Sequence, residues 1–134
     1  MKRLWVDANV LVRFLTGDPP EMAKQSAKLM EKAENGEIVL VVASIVVAEV
    51  IWVLKSFYGF PFKDIARVLL PLISAEGVET EDRELMVEAI ELAREKNVAF
   101  IDAVVALKAV RQKESVCSFD GDFKKLPAHR VVPA

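Results

Sequence analysis

The stretch from Ile38 to Leu54 is apolar at nearly every position, and it limits what this chain can become more than any other feature. Such a run is either a membrane span or the interior of a folded domain. Glu49 lies inside it, and an acid at the centre of a bilayer costs about 2.5 kcal/mol or more. The run also changes character part-way. Ile38 to Val42 is β-branched and of strand length, whereas Ser44 is an N-capping residue type from which a helix can run to about Tyr58 before Gly59. The segment reads as a buried strand followed by a buried helix, and no membrane segment is expected.

The same alternation continues on both sides. Lys2 to Val6 reads as a short buried strand ending at Asp7, and Asn9 to Leu15 as a helix closed by Thr16-Gly17-Asp18-Pro19-Pro20. Glu21 to Asn35 is an amphipathic helix whose Lys24, Lys28 and Lys32 are predicted to face water. Phe60-Pro61-Phe62 turns the chain into a helix from Lys63 to Ile73, which Pro71 is expected to end or bend. A short strand at Val78 to Thr80 and a helix from Arg83 to Lys96 come next. Asp102 opens a helix over Ala103 to Lys113, a strand from Ser115 to Phe119 ends at Asp120, and a helical piece at Asp122 to Leu126 leads to a last strand, Arg130 to Val132. Apolar strands separated by helices indicate a parallel sheet covered on both sides. At 134 residues, 53% of them hydrophobic, with no linker or repeat, one domain over residues 1–134 is expected.

Charge and composition narrow the chemistry. A net charge of −2 and a pI near 5.5 exclude a constitutive basic face that would hold duplex nucleic acid by charge alone. An RNA substrate remains compatible with a site of carboxylates and metal ions, because bound metals offset negative charge. Cys117 is the one cysteine, which excludes an internal disulfide and a multi-cysteine zinc site; with no signal-like segment after Met-Lys-Arg, a cytoplasmic address is expected. A Ser-His-Asp or Cys-His mechanism would have to rely on one histidine, His129, and no Gly-rich phosphate loop is present. A phosphoryl-aspartate receiver needs paired acids after its first strand and an Asp ending a middle strand. This chain has Asp7-Ala8-Asn9 and no Asp after Val42.

Most of the twenty acids sit on amphipathic helices beside lysines, as on any solvated face. Four do not. Asp7 and Asp120 end strands, Asp102 opens an apolar helix, and Glu49 lies in a helix with no plainly wet face and no cation at i+3 or i+4. Taken singly, Asp102 could be an N-cap, and Asp7 and Asp120 could each start a turn or cap the next element. Glu49 needs a partner: a cation, a donor or a metal. If the strand ends bearing Asp7 and Asp120 share one sheet edge, four carboxylates converge there. Such a group stays ionised only around divalent cations, and all-oxygen ligation selects Mg²⁺ or Mn²⁺ over zinc.

Val6-Asp7-Ala8-Asn9-Val10-Leu11, Leu15-Thr16-Gly17-Asp18, Ser44 with Ala48-Glu49, Phe100-Ile101-Asp102-Ala103 and Ser118-Phe119-Asp120-Gly121-Asp122-Phe123 together resemble the PIN domain of VapC-type toxins, across nearly the whole chain. The resemblance implies a three-layer α/β/α sandwich with a central, mainly parallel sheet. It implies a metal-dependent endoribonuclease, the toxin of a type II toxin–antitoxin pair, with Asp7, Glu49, Asp102 and Asp120 holding one or two Mg²⁺ or Mn²⁺ ions, Asp7 and Asp102 foremost. Asp122 is a candidate fifth acid, and Asn9 and Ser118 match positions that support the site by hydrogen bonding. Many relatives carry Thr where this chain has Ser118, a change that keeps the hydroxyl. A homodimer and a cognate antitoxin that blocks the acidic site are also implied. A PIN-fold protein that binds RNA or a partner without cutting is the alternative; a PIN-type flap or junction DNA nuclease is disfavoured, because 134 residues leave little room for a basic arch. Trp52, Phe57, Tyr58, Phe60 and Phe62 gather at one helix end as a candidate groove for a partner helix or as plain packing, and Arg13, Lys108 and Arg111 are candidate RNA guides or plain surface charge.

Overall fold

In the computed structural model, which describes residues 2–133, the β-branched run forms the central strand β2 (Ile38–Val42) of a three-stranded parallel sheet. β1 (Lys2–Trp5) flanks it with Lys2 opposite Ile38 and Trp5 opposite Val41; β3 (Val78–Thr80) flanks the other side with Leu40 opposite Val78 and Val42 opposite Thr80. Leu40, Val41 and Val42 are all buried, so β2 is covered on both faces, as a parallel strand between helices requires.

The chain divides into two compact units, Met1–Arg83 and Glu84–Ala134. The first holds the three-stranded sheet with helices α1 (Ala8–Thr16), α2 (Pro20–Glu34), α3 (Ser44–Trp52) and α4 (Phe62–Ile73). α1 buries Leu11 and Val12 and ends at Gly17, whose left-handed backbone lets its N–H donate to the Arg13 carbonyl at 2.9 Å. α3 buries Val47, Val50 and Ile51, each worth about 1.5–3 kcal/mol when removed from water. Gly77, just before β3, has φ +80, and a Cβ there would lie 2.2 Å from the Ala33 carbonyl oxygen of α2. Only glycine permits that approach.

The second unit holds α5 (Arg83–Lys96) from its second residue on, α6 (Phe100–Arg111), and β4 (Val116–Cys117) paired in parallel with β5 (Arg130–Val131) across a 3-10 turn at Gly121–Lys125. Leu85, Met86, Ala89, Ile90 and Ala93 of α5 are buried, with Phe100, Ala103, Ala106 and Leu107 of α6.

Several expectations hold closely. β2, β3 and α5 fall on the predicted residues, and Lys24, Lys28 and Lys32 are all exposed. Others need correction. β1 is an edge strand rather than a buried one, with Trp5 65% exposed. The helix expected over 44–58 is α-helical only to Trp52. A π-helical turn at Val53–Phe57 completes it, closed by the Tyr58 N–H on the Val53 carbonyl at 3.2 Å. Ser44 is the first helical residue rather than the cap; the Glu81 carboxylate does the capping, accepting from Ser44 N at 3.0 Å and Ser44 Oγ at 2.9 Å. Pro71 lies inside α4 without ending it, since the carbonyl it leaves unpaired belongs to the solvent-facing Arg67 near the last turn. β4 and β5 form a sheet of their own, so the single sheet edge expected to join the strands bearing Asp7 and Asp120 is replaced by two separate sheets.

Candidate active site

Asp7 follows β1 in extended conformation, and its Oδ1 accepts from the Val10 N–H at 3.1 Å, making it the N-cap of α1. The capping role raised as an alternative for this acid is therefore real. It fixes the side chain at the positive end of a helix while leaving the residue exposed. Beside it a cavity of about 430 Å³ opens between α1 and α2, lined by Asp7, Asn9, Val10 and Arg13 from one side and Met22, Gln25, Ser26 and Leu29 from the other. Arg13 is not plain surface charge: it is half-buried, its Nη1 donates to the Asp18 carbonyl at 3.2 Å and the Tyr58 hydroxyl at 3.3 Å, and its Nε is buried with no hydrogen-bond partner among the described residues.

Glu49 corrects the sequence reading. It is exposed, on the face of α3 that also carries Ile45, 77% exposed, and Trp52, 66% exposed. The periodicity at 45, 49 and 52 marks one stripe, and that stripe points away from Val47, Val50 and Ile51. An apolar composition all round the helix suggested burial all round. One apolar face is in fact left open to solvent, so the acid does not demand a buried partner.

In the second unit, Asp102 lies in the first turn of α6 rather than at its cap, because the helix already begins at Phe100 after Ala99. Burial pushes its carboxyl above the usual aspartate range, and the Asp120 and Asp122 carboxylates push it further in the same direction. Among the described residues no hydrogen bond offsets that, and the proximity of the α6 N-terminus, which favours an anion, is outweighed. Asp120 Oδ1 accepts from Asp122 N at 2.8 Å, capping the 3-10 turn. Ser118 Oγ accepts from Asp120 N at 2.9 Å, a contact to the backbone rather than to the carboxylate. Asp122 is half-exposed and pairs with Lys125 at 3.5 Å.

Arg130 is the residue the sequence did not offer. From β5 its guanidinium donates to the Ser118 carbonyl at 3.3 Å and the Phe119 carbonyl at 3.1 Å, tying down the loop that presents Asp120. Its only signal was a cation in an otherwise apolar terminal strand. His129 holds its Nδ1 3.2 Å from Ser115 Oγ, Arg111 pairs with Glu88 at 3.0 Å on the surface, and Lys108 is exposed. Among the described residues no three His, Cys, Asp or Glu side chains are gathered closely enough to hold a metal ion.

Helices alternating with parallel strands, an acid at the end of β1 and another after β4 can be compared with known families. The family model for the PIN domain matches residues 4–128. The chain belongs to the PIN domain family. It is also similar to a protein named VapC ribonuclease from Aquifex aeolicus (strain VF5), 27% identical over 129 residues that cover 96% of this chain and 95% of the relative.

The PIN match includes all seven residues singled out from the sequence: Asp7, Asn9, Glu49, Asp102, Ser118, Asp120 and Asp122. It draws on both compact units, and the α/β class inferred from the alternation of strands and helices holds. No helix of the described residues is long and apolar enough to cross a membrane. The Ile38–Leu54 run is thus divided as expected, strand first and helix second.

Proposed function

We propose that this PIN protein is a metal-dependent endoribonuclease acting as the toxin of a VapBC-type pair, with Asp7, Glu49, Asp102 and Asp120 as its catalytic carboxylates and Asp122 as an auxiliary acid. The observation that carries the reading is the PIN match over residues 4–128, with the VapC ribonuclease relative beside it. The Asp102 carboxyl, pushed up first by burial and then by the Asp120 and Asp122 charges, is in keeping with a cation-binding role.

The donor chemistry fits Mg²⁺ or Mn²⁺. Every candidate ligand is a carboxylate oxygen, hard and anionic, with no thiolate or imidazole among them. Bound at such a site, the ion would supply a water acidified toward hydroxide and neutralise charge on the leaving oxygen of a phosphodiester. The chain's own residues do the positioning. Asp7 is oriented by its cap to α1, Asp120 by its cap to the 3-10 turn, and Ser118 and Arg130 hold the loop that carries Asp120. Asn9, beside Asp7, offers an amide to a substrate phosphate or sugar.

The same reading includes a cognate antitoxin, a homodimer and a cytoplasmic setting. The open apolar face of Ile45 and Trp52 on α3, with Phe57 72% exposed beyond it, supports a protein-covered surface. A further cavity of about 210 Å³, lined by apolar Leu15, Leu54, Phe60, Ile65 and Val68 with Thr16, Asp64 and Arg67 among them, supports the groove for a partner helix. Tyr58 stacks on Phe60 at 5.7 Å and meets Phe57 at 5.1 Å, so the aromatic group expected from the sequence forms through these three rings.

Cleavage of a labelled single-stranded RNA by antitoxin-free protein, with Mg²⁺ or Mn²⁺ and with EDTA, tests the reading. Cutting that stops in EDTA and in both Asp7→Asn and Asp102→Asn is expected. No cutting of any of several RNAs, with no heat of Mg²⁺ or Mn²⁺ binding, would favour a PIN protein that binds without cutting.

A further inference from the structure

The cavity between α1 and α2 is not needed to hold a metal ion, yet it begins at Asp7. Its walls are of two kinds. Met22 and Leu29 give an apolar side, while Gln25 and Ser26 line it with an amide and a hydroxyl. Arg13 sits at the same cavity with its guanidinium held by the Asp18 carbonyl and the Tyr58 hydroxyl. A planar cation anchored in this way at a cavity wall is pre-organised for a ligand with a π-face.

A phosphate alone does not explain this lining, since an anion gains nothing from the apolar side and is repelled by Asp7. A nucleobase matches each part: an apolar face for Met22 and Leu29, an edge of donors and acceptors for Gln25, and a π-system that suits a guanidinium. A chain of net charge −2 also draws little affinity from the backbone of a strand, which leaves base contacts to select the site. The size agrees, because small-ligand pockets run from about 300 to 1,000 Å³.

We propose that this cavity is a nucleobase subsite, taking a base of the RNA strand beside Asp7, and that Gln25 is its specificity-determining residue. The inference rests on the ribonuclease reading for its biological use, but not for its test. Selectively ¹³C-methyl-labelled methionine gives Met22 as a reporter inside the cavity and Met86, buried in the second unit, as a reference.

Titrating the full chain in EDTA with AMP, GMP, CMP, UMP and ribose 5-phosphate should move the Met22 methyl signal with the nucleotides, unequally, and leave Met86 still. Ribose 5-phosphate should have no such effect. Gln25→Ala, at an exposed helical position that spares the fold, should weaken the preferred nucleotide about ten-fold and level the ranking. An unmoved Met22, or the same shift with ribose 5-phosphate, overturns the subsite. An equal response to all four nucleotides, or a ranking unchanged in Gln25→Ala, overturns the role of Gln25. A Met22 response in a protein that cuts no RNA would remove the nuclease reading and keep the subsite; RNA cleavage with a silent Met22 would do the reverse.

Discussion

Glu79 and Asp102, one in each compact unit, carry their charges in opposite ways. In Met1–Arg83 the acids with described partners are built into the fold: Asp7 caps α1, Glu81 caps α3, and Glu79 forms a two-pronged pair with Arg3 across the sheet, one contact of which is 3.0 Å. In Glu84–Ala134, Asp102 has no such partner among the described residues, and burial first, then the Asp120 and Asp122 charges, push it toward its neutral form. Glu79 is held charged by its partner, whereas Asp102 is disfavoured as an anion.

The largest test of that contrast is Asp102→Asn. RNA cleavage should fall at least about 100-fold, as when a group facing developing charge is removed, while the metal-free protein melts roughly 2 °C higher because a carboxylate disfavoured by burial and by its acidic neighbours is gone. A lower melting temperature would erase the distinction between the units. Next in size is Gly77→Ala, which must force α2 and the turn before β3 apart and should cost about 3 kcal/mol or more in denaturant unfolding. Asp7→Ala sharpens the comparison from the other side. It should lose cleavage and also about 1 kcal/mol of stability, since a helix cap goes with the carboxylate.

The smallest expected effect is in the pH dependence, where the two units have opposite signs. Asp102 is pushed above the ordinary aspartate range, so the folded metal-free protein holds that proton more tightly than the unfolded chain. Its contribution is greatest below the ordinary range and is lost as pH rises through the raised one. Glu79 is held down, chiefly by its hydrogen bond from Arg3, so its contribution is present above the ordinary glutamate range and lost as pH falls through the depressed one. Both groups of the Arg3–Glu79 pair are well exposed, and salt should weaken that term first. Melting curves of Glu79→Gln and Asp102→Asn across the acid range should therefore change slope in opposite directions.

Much of the fold was legible because burial and period leave marks on residue type. β2 is β-branched throughout and α5 is strictly amphipathic, and both fall on the predicted residues. What escaped depended on partners distant in sequence. Glu81 caps α3 from 37 positions away, so Ser44 looked like its own cap. Glu49 looked buried because composition reports how apolar a helix is, not which of its faces another element covers. The short elements around Asp102 and Asp120 shifted most: α6 starts at Phe100, and β4 keeps only Val116 and Cys117 of the longer strand expected. Of the candidate site residues, Asp7 and Asp120 were singled out from strand ends and Asp102 from a helix start. Arg130 was missed because its contribution is two hydrogen bonds to carbonyls, which leave no pattern in sequence.

The π-helical turn at Val53–Phe57 fits one more residue into the helix than an α-helical path of the same course would use. The surplus residue is thereby absorbed locally. Losing one residue from this turn would return it to an α-helical path of the same course and leave Tyr58 with Arg13 and Asp18. The same loss from α3 upstream, where no residue is in surplus, would swing everything after it by about 100° about the axis. The turn is therefore the one place in this helix where a single-residue gap would leave the facing of both flanks unchanged.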